Sequence, residues 1–241
     1  MKALASSLNS ELRILREKRQ KYVSGDAELK NAVTNISHDL RTPLTAICGY
    51  LDLLEKEEQT ESGKRYLKII RERTSAMRSL TQELFGYSVA ASSEAALETE
   101  EVSLNDVLEQ SLAAFYGVLS EREIAPKIEL AAAPVMRMLN RNALRRVFDN
   151  ILNNAAKYSD GDLEVRLSST GTVSFSNAAK KLDVVQTERL FDRFFTVETG
   201  GGSTGLGLSI AKLLTEKMGG SIAAEYREGR LIVRLEFNEC E

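Results

Sequence analysis

The amino-acid sequence predicts an α+β protein in which a helical hairpin is followed by an α/β sandwich. Three observations support this fold class. Up to about residue 87 there is a single proline, and apolar residues recur at spacings of three and four. Near residues 88–100 the composition changes, and no Lys or Arg occurs between Arg78 and Arg122. Beyond that point, short alternating segments typical of strands are interleaved with amphipathic helices.

The first third of the chain predicts two helices. Apolar residues at helical spacing run from Ile36 to Leu54 and again from Leu67 to Tyr87, and the polar segment 55–64 separates them as a turn. Two helices do not enclose a core, and each keeps an apolar stripe too long for its partner alone. We therefore expect two chains to form a homodimeric four-helix bundle. The alternative is a monomeric hairpin packed against the C-terminal half.

Past the change in composition, the pattern predicts six short strands and three helices. The strands are expected near Lys127–Leu130, Val135–Leu139, Leu163–Leu167, Thr172–Ser176, Ser221–Tyr226 and Leu231–Phe237, and the helices near Leu104–Leu119, Asn142–Tyr158 and Leu206–Met218. Strands and helices that alternate in this way are typical of an α/β sandwich.

Composition and charge limit the classes of function. The 241 residues are 43% hydrophobic and 28% charged, the balance of a folded protein, and the net charge of −3 gives no basic footprint for nucleic acid or an anionic membrane. Cys48 and Cys240 are poorly placed for a disulfide framework, which indicates a reducing compartment. No run approaches the ~20 apolar residues that cross a bilayer. We expect a cytoplasmic chain, attached to a membrane only through a segment upstream of Met1.

The only histidine of the sequence, His38, lies on the first predicted helix. At about 100° per residue from Ile36, the apolar stripe spans roughly 0–80° and the histidine falls near 200°. The imidazole therefore points away from the bundle seam, on the face that carries Thr42, with Asp39 to one side. An exposed imidazole is nucleophilic, and an adjacent carboxylate orients it or accepts its proton. The alternative is an ordinary surface histidine.

The helix predicted near residues 142–158 carries polar side chains beside its apolar face. Within about 80° of the helical wheel lie Arg146, Asn150, Asn154 and Lys157. Amide oxygens ligate Mg²⁺ and lysine supplies a positive charge for phosphate, so this face suits a metal–phosphate group. The alternative is a solvated helix face.

A glycine-rich run from Gly200 to Gly207 directly precedes an amphipathic helix. Glycines let backbone amides approach an anion closely, and a helix N-terminus favours negative charge. The run predicts a phosphate-binding loop, with a ligand-free surface loop as the alternative. It is not a Walker loop, because the GK[ST] motif is missing.

These motifs resemble those of the sensor histidine kinases of two-component systems. The string HDLRTPLT matches the phospho-acceptor box of that family at every position. The resemblance implies that His38 is phosphorylated, that Asp39 acts as base, and that Thr42 positions water for dephosphorylation of the partner.

The second half resembles the Bergerat-type ATP-binding domain of the same kinases. RRVFDNILNNAAKYSD is similar to the N box, TGLGLSIAK to the second glycine box and RLFDRFF to the F box. The resemblance implies ATP and Mg²⁺ as cofactors, with the metal on Asn154. It also implies that Arg193 reaches the terminal phosphates and that the glycine-rich stretch closes over ATP as a mobile lid. The implied pocket is lined by Asn150, Lys157, Tyr158, Gly205, Leu206 and Gly207.

One motif departs from the family pattern. Counted back from Phe191, the first glycine box, Asp-x-Gly-x-Gly, should begin at residue 177, where the chain reads NAAKKL. Asn177 replaces the aspartate that binds the adenine amino group, and Ala179 and Lys181 replace the two glycines. Because asparagine still offers a carbonyl acceptor, we expect adenine recognition to survive with an uncharged hydrogen bond.

The resemblance implies three regions and a two-step reaction. The regions are a helical connector over 1–28, a dimerisation and histidine phosphotransfer domain over 29–90, and an ATP-binding catalytic domain over 98–241. The reaction is ATP-dependent autophosphorylation of His38, then transfer to an aspartate of a response-regulator receiver domain, with phosphatase activity towards that regulator. Two alternatives remain: a pseudokinase scaffold or phosphatase with a degenerate first glycine box, and an ATPase of the gyrase and chaperone group. The exposed HDLRTP box argues against the second.

Overall fold

The computed structural model describes residues 40–57, 60–92, 97–197 and 204–238. The chain divides into two compact units, Met1–Ser93 and Glu94–Glu241. Several predicted features lie outside the described residues: the connector over 1–28, His38 with Asp39, and the glycine-rich lid over 200–202. Within the described ranges, no helix is long and apolar enough to cross a membrane.

The first unit contains the predicted helical hairpin. Helix α1 is described over residues 40–54, and α2 spans Glu61–Ser92. Leu44 and Leu51, one heptad apart on α1, are both buried. The turn is shorter than the sequence pattern predicts, because the Thr60 hydroxyl accepts a hydrogen bond from the amide of residue 63 at 3.1 Å and so starts α2 within the polar segment.

Contacts between α1 and α2 show that the two helices are antiparallel. The Arg41 guanidinium lies 4.7 Å from the centroid of the Phe85 ring, near the start of α1 and the end of α2. At the other end, Arg71 donates to Asp52 at 2.9 Å and to Glu55 at 2.6 Å. The aromatic contact and the ion pairs therefore tie opposite ends of the hairpin.

The second unit is a mixed sheet with helices, which confirms the predicted fold class. Its elements in chain order are β1 (Glu100–Ser103), α3 (Leu104–Glu121), β2 (Ala125–Glu129), β3 (Met136–Leu139), α4 (Arg141–Tyr158), β4 (Asp162–Leu167), β5 (Val173–Ala178), α5 (Val184–Glu188), α6 (Gly207–Lys217), β6 (Ser221–Arg227) and β7 (Arg230–Glu236). The main sheet has the order β2-β4-β5-β7-β6, in which only β2 and β4 are parallel. Strands β1 and β3 form a separate antiparallel pair.

The core of the second unit lies between the main sheet and helix α4. Helix α4 packs between α3 and α6 and against β5. The rings of Phe148 on α4 and Phe175 on β5 are 5.9 Å apart between centroids, and both side chains are fully buried. The apolar face of α4 therefore fixes the rotation of this helix, and with it the direction of its polar side chains.

Two elements were missed by the sequence pattern. Strand β1 begins with two exposed glutamates, and only Val102 and Ser103 are buried, so it lacks the alternation of apolar and polar residues that predicts a strand. Ser103 also accepts a hydrogen bond from the Asp106 amide and so caps α3. Helix α5 has five residues, too few for a periodic pattern, and depends on a capping box between Asp183 and Gln186.

Arg137 on β3 joins three separate parts of the second unit. Its guanidinium donates to the carbonyl oxygens of Met136 at 2.8 Å, Thr170 at 2.5 Å and Phe237 at 3.2 Å. Residue 171 has a φ of +90° and lies against this guanidinium so closely that a Cβ would collide with it, which explains the glycine there.

Candidate functional site

The polar side of α4 is the first component of the candidate site. Asn140 caps this helix by accepting from the Ala143 amide at 2.9 Å. Asn150, Asn154 and Lys157 are half-buried and lie outside the apolar face of the helix. These amides and the lysine lie on the part of α4 where the sequence predicts a metal–phosphate group.

The N-terminus of α6 meets this polar side. Gly207 is the first residue of α6, and a Cβ placed on it would lie 3.5 Å from Oδ1 of Asn150. Leu206, in the N-cap position, makes no side-chain hydrogen bond to the first turn of the helix. Among the described residues, the amides of that turn therefore have no side-chain cap, and they lie next to the predicted N-box asparagine.

One buried donor at this meeting point has no partner. The Nδ2 atom of Asn150 is buried and makes no hydrogen bond to any described residue. A buried unpaired donor is costly, and a phosphate oxygen of a nucleotide would satisfy it. Together with the uncapped amides of α6, this donor fits the phosphate chain of ATP, and the amide oxygen of Asn154 fits Mg²⁺.

Gly205 lies where the second glycine box packs against the F box. Its φ is +68°, and a Cβ there would lie 2.5 Å from the carbonyl carbon of Phe194 and 2.6 Å from the carbonyl oxygen of Phe195. The Phe194 amide donates to the Gly205 carbonyl at 3.1 Å, and Phe194 itself has a φ of 64°. Arg193 lies exposed in this same turn. The structure thus brings the two motifs together, and only glycine fits at the contact.

Asn177, which stands where the family has aspartate, lies on the inner side of β5. Its side chain is 4% exposed, and Nδ2 donates to the Ala178 carbonyl at 3.0 Å. This hydrogen bond uses one of the two N–H donors of the amide, so Oδ1 and the second N–H are left for a ligand. The side chain therefore presents an acceptor, as an aspartate would.

The loop after β5 is held by two aspartates that the sequence reasoning missed. Asp162 accepts from the Ala178 amide at 2.6 Å, and Asp160 accepts from the Lys180 amide at 2.7 Å. The buried Ala179 donates from its amide to the Gly229 carbonyl at 2.9 Å. The sequence signal that indicates these two aspartates is the DGD turn at residues 160–162, at the end of the N box. With alanine and lysine in place of the family's glycines, this loop is anchored at three amides.

Asp162 keeps its charge in this arrangement. Burial alone would raise the pKa of its carboxyl, but hydrogen bonds from the Ala178 amide and the Arg230 guanidinium outweigh that effect. The pKa of Asp162 therefore lies below its ordinary value, and the ionised carboxylate is the form that accepts from the loop.

Of the predicted phosphotransfer residues, the structure describes Thr42. It lies exposed on α1, whereas Leu44 and Leu51 on the same helix are buried. The neighbouring Thr45 uses its hydroxyl to donate to the Arg41 carbonyl at 2.9 Å. Thr42 therefore lies on a solvent-facing surface, as the helical angles predict.

Comparison with known protein families identifies both units. The model described as "His Kinase A (phospho-acceptor) domain" matches residues 28–93. The model described as "Histidine kinase-, DNA gyrase B-, and HSP90-like ATPase" matches residues 139–239. The second match therefore covers the helices and strands that carry the candidate site.

Individual relatives agree with the two domain matches. The sensor histidine kinase YcbM of Bacillus subtilis is 27% identical over 215 residues, which cover 85% of this chain and 69% of that protein. The sensor protein VanSC of Enterococcus gallinarum is 31% identical over 239 residues, 93% of this chain and 66% of that protein. The chain thus spans about two thirds of each relative.

A solved structure agrees in fold. The crystal structure of full-length ShkA in complex with AMPPNP has a TM-score of 0.69 and 23% identity, and the match covers 87% of this chain and 47% of that one. With a phospho-acceptor domain followed by an ATP-binding catalytic domain, the chain belongs to the sensor histidine kinases of two-component systems.

Proposed function

We propose that this chain transfers the γ-phosphoryl group of ATP to His38 and then to an aspartate on the receiver domain of a response regulator. The observation that carries the proposal is the meeting of Asn150 with Gly207, where an unpaired buried donor lies beside an uncapped helix N-terminus. Because the reaction consumes ATP, we place these two domains in the cytoplasm.

The phosphate chain of ATP would lie between α4 and the N-terminus of α6. The first amides of α6 and Nδ2 of Asn150 donate to phosphate oxygens, and Lys157 and Arg193 offset their charge. Asn154 would hold Mg²⁺, which when bound neutralises charge that develops on the phosphates. Tyr158, at the last turn of α4, lines the pocket beyond Lys157.

The adenine base would lie towards β5. Oδ1 of Asn177 accepts from the adenine amino group, while its Nδ2 donates one hydrogen bond to the Ala178 carbonyl. This hydrogen bond is uncharged, so it is weaker than the one an aspartate would form. The anchored loop after β5 offsets part of that loss, because less backbone freedom is lost when the nucleotide binds.

Phosphoryl transfer then follows the chemistry of a nitrogen nucleophile. A ring nitrogen of His38 attacks the γ-phosphorus in line, forming the N–P bond as the bond to the bridging oxygen of ADP breaks, while Asp39 accepts the ring proton. The phosphoryl group passes next to a receiver carboxylate, and His38 returns to its free form. Thr42, which is exposed on α1 and follows His38 by four residues in the sequence, orients the water that hydrolyses the phospho-aspartate.

Radioactive ATP tests the kinase proposal directly. With γ-labelled ATP and Mg²⁺, the purified chain is expected to acquire label that is labile in acid and stable in alkali, as a phosphoramidate is. Replacing Asn154 by Ala removes the proposed metal ligand and is expected to lower the rate of labelling by at least about tenfold. Asn153→Ala removes the same amide at a position about 100° around the helix from Asn154, and serves as the matched control.

The same experiment separates the proposal from its rival. ATP binding without label would support the pseudokinase scaffold and contradict the kinase. Absence of both would indicate that Asn177, Ala179 and Lys181 have removed the nucleotide site itself.

An apolar surface on the hairpin supports a homodimer. Large apolar side chains remain at least two-fifths exposed on both helices: Leu40, Ile47 and Leu54 on α1, and Ile70, Met77 and Leu80 on α2. Three of these residues recur at intervals of seven on α1, the spacing of a helix–helix interface, and a second hairpin with the same stripe would cover them. We propose that two chains form a four-helix bundle through this surface.

Replacing Met77 by Glu is expected to dissociate the dimer. The carboxylate would be buried without a partner in the bundle, which costs about 3 kcal/mol or more and raises the dissociation constant at least a hundredfold. Ser75→Glu places the same charge on the exposed opposite side of α2 and is expected to leave the dimer intact. Sedimentation equilibrium measures both constants, and equal effects of the two variants would contradict this interface.

A further inference from the structure

Arg146 on α4 forms no ion pair with any carboxylate in the described part of the chain. It lies one helical turn before Asn150 and is half-buried. Burial lowers the pKa of Arg146 from its ordinary value, and no ion pair or hydrogen bond from the described residues opposes that effect. Partial removal of a guanidinium from water costs free energy when no anion is paired with it. A negatively charged ligand bound beside Arg146 would offset that cost.

The neighbouring Arg145 shows that this burial is not a general property of the helix. Arg145 is exposed, and its Nε lies 3.8 Å from Oδ2 of Asp149, one turn further along α4. Two adjacent arginines therefore have different surroundings. One is solvated and paired with a carboxylate, while the other is partly desolvated and has no carboxylate among the described side chains.

The position of Arg146 along α4 indicates which part of a nucleotide it meets. With a rise of about 1.5 Å per residue, it lies about 6 Å beyond Asn150 and about 12 Å beyond Asn154, in the direction away from Tyr158. Asn150 lies beside the N-terminus of α6, where a Cβ on Gly207 would be 3.5 Å from its Oδ1. Helical side chains also lean towards the N-terminus of their helix, which carries the guanidinium further in the same direction.

We propose that Arg146 binds the terminal phosphate of ATP, at the end of the site opposite the adenine base. This inference rests on the proposed ATP site. In it, Arg146 and Arg193 approach the γ-phosphate from α4 and from the F-box turn. A guanidinium donates two hydrogen bonds to one phosphate and so offsets the charge on its oxygens. Without nucleotide the same side chain remains an unpaired, partly desolvated cation.

The comparison of ATP with ADP tests this assignment, because only ATP has the γ-phosphate. Binding constants are measured by calorimetry with Mg²⁺ for the full chain and for Arg146→Gln. The variant is expected to bind ATP at least about tenfold more weakly, and ADP within about twofold of the unmodified chain. Arg145→Gln, the matched control, is expected to bind both nucleotides as the unmodified chain does.

A lysine variant tests whether the weaker binding of Arg146→Gln comes from a lost phosphate contact or from a disturbed fold. Arg146→Lys keeps the charge but loses the two-pronged donor, so its affinity for ATP should lie between those of the unmodified chain and Arg146→Gln. Equal losses for ATP and ADP, or no loss for either, would overturn the assignment to the terminal phosphate. If the unmodified chain bound neither nucleotide, the proposed function would fail first, and this inference with it.

Discussion

Replacement of His38 by Gln is expected to abolish labelling from γ-labelled ATP and to leave ATP binding within about twofold of the unmodified chain. Glutamine retains polarity and similar reach, but its amide is not a nucleophile. The family match over residues 28–93 includes this histidine, whereas the residues proposed to bind the nucleotide all lie in the second unit. Gel autoradiography measures the label, and calorimetry measures the binding.

The result would be contradicted by label that persists on another residue of the variant. Thr42→Ala provides the complementary test, because its exposed hydroxyl is assigned to the phosphatase step alone. That variant is expected to autophosphorylate normally and to dephosphorylate the receiver domain more slowly. Thr45→Ala, whose hydroxyl is engaged by the Arg41 carbonyl, is the control on the same helix.

Gly205→Ala is expected to lower the free energy of unfolding of the second unit by about 2–4 kcal/mol and to weaken ATP binding by at least about tenfold. The added methyl would lie 2.5 Å from the Phe194 carbonyl carbon, at a φ of +68° that alanine rarely adopts. Relief requires the F-box turn to move, and Arg193 would move with it. Urea denaturation measures the first effect, and calorimetry with ATP measures the second.

Two other glycines separate steric collision from the loss of glycine as such. Gly207→Ala places its Cβ 3.5 Å from Oδ1 of Asn150, an ordinary contact, so the fold should retain its stability. Gly49→Ala meets nothing within 4 Å and lies in α1, where alanine stabilises a helix by about 1 kcal/mol. If the free energy of unfolding of Gly205→Ala equalled that of these two variants, the close approach of Gly205 to the F box would have no effect on stability.

Local sequence signals account for most of the helices and strands. Ser103 and Asn140 cap α3 and α4 at the places where the apolar pattern begins, so the predicted starts of these helices lie within one residue of the observed ones. Strand β1 and helix α5 carry weaker signals. Their stability comes from pairing with β3 and from one capping box, and a pattern of hydrophobicity does not report either.

In the candidate site too, the sequence predicts which side chains share one helix face, but not the contacts between elements that are far apart in the chain. The helical period alone placed Asn150 and Asn154 on one side of α4. The contact between Asn150 and Gly207 depends on how α6 packs on α4, which no local spacing encodes. The anchoring of Ala178 and Lys180 by two aspartates joins residues across the end of the sheet, so the DGD turn indicated the aspartates but not the amides that they bind.

The strand order of the main sheet bears on how the chain folds during its synthesis. β7 lies between β5 and β6, although both are made before it. On the ribosome, β5 therefore exposes an unpaired edge from Ala178 until Arg230 and the residues after it emerge, and β6 has no neighbour in the sheet during that interval. We therefore expect the proposed nucleotide site, which includes residues of β5 and α6, to form completely only after β7 has inserted between β5 and β6.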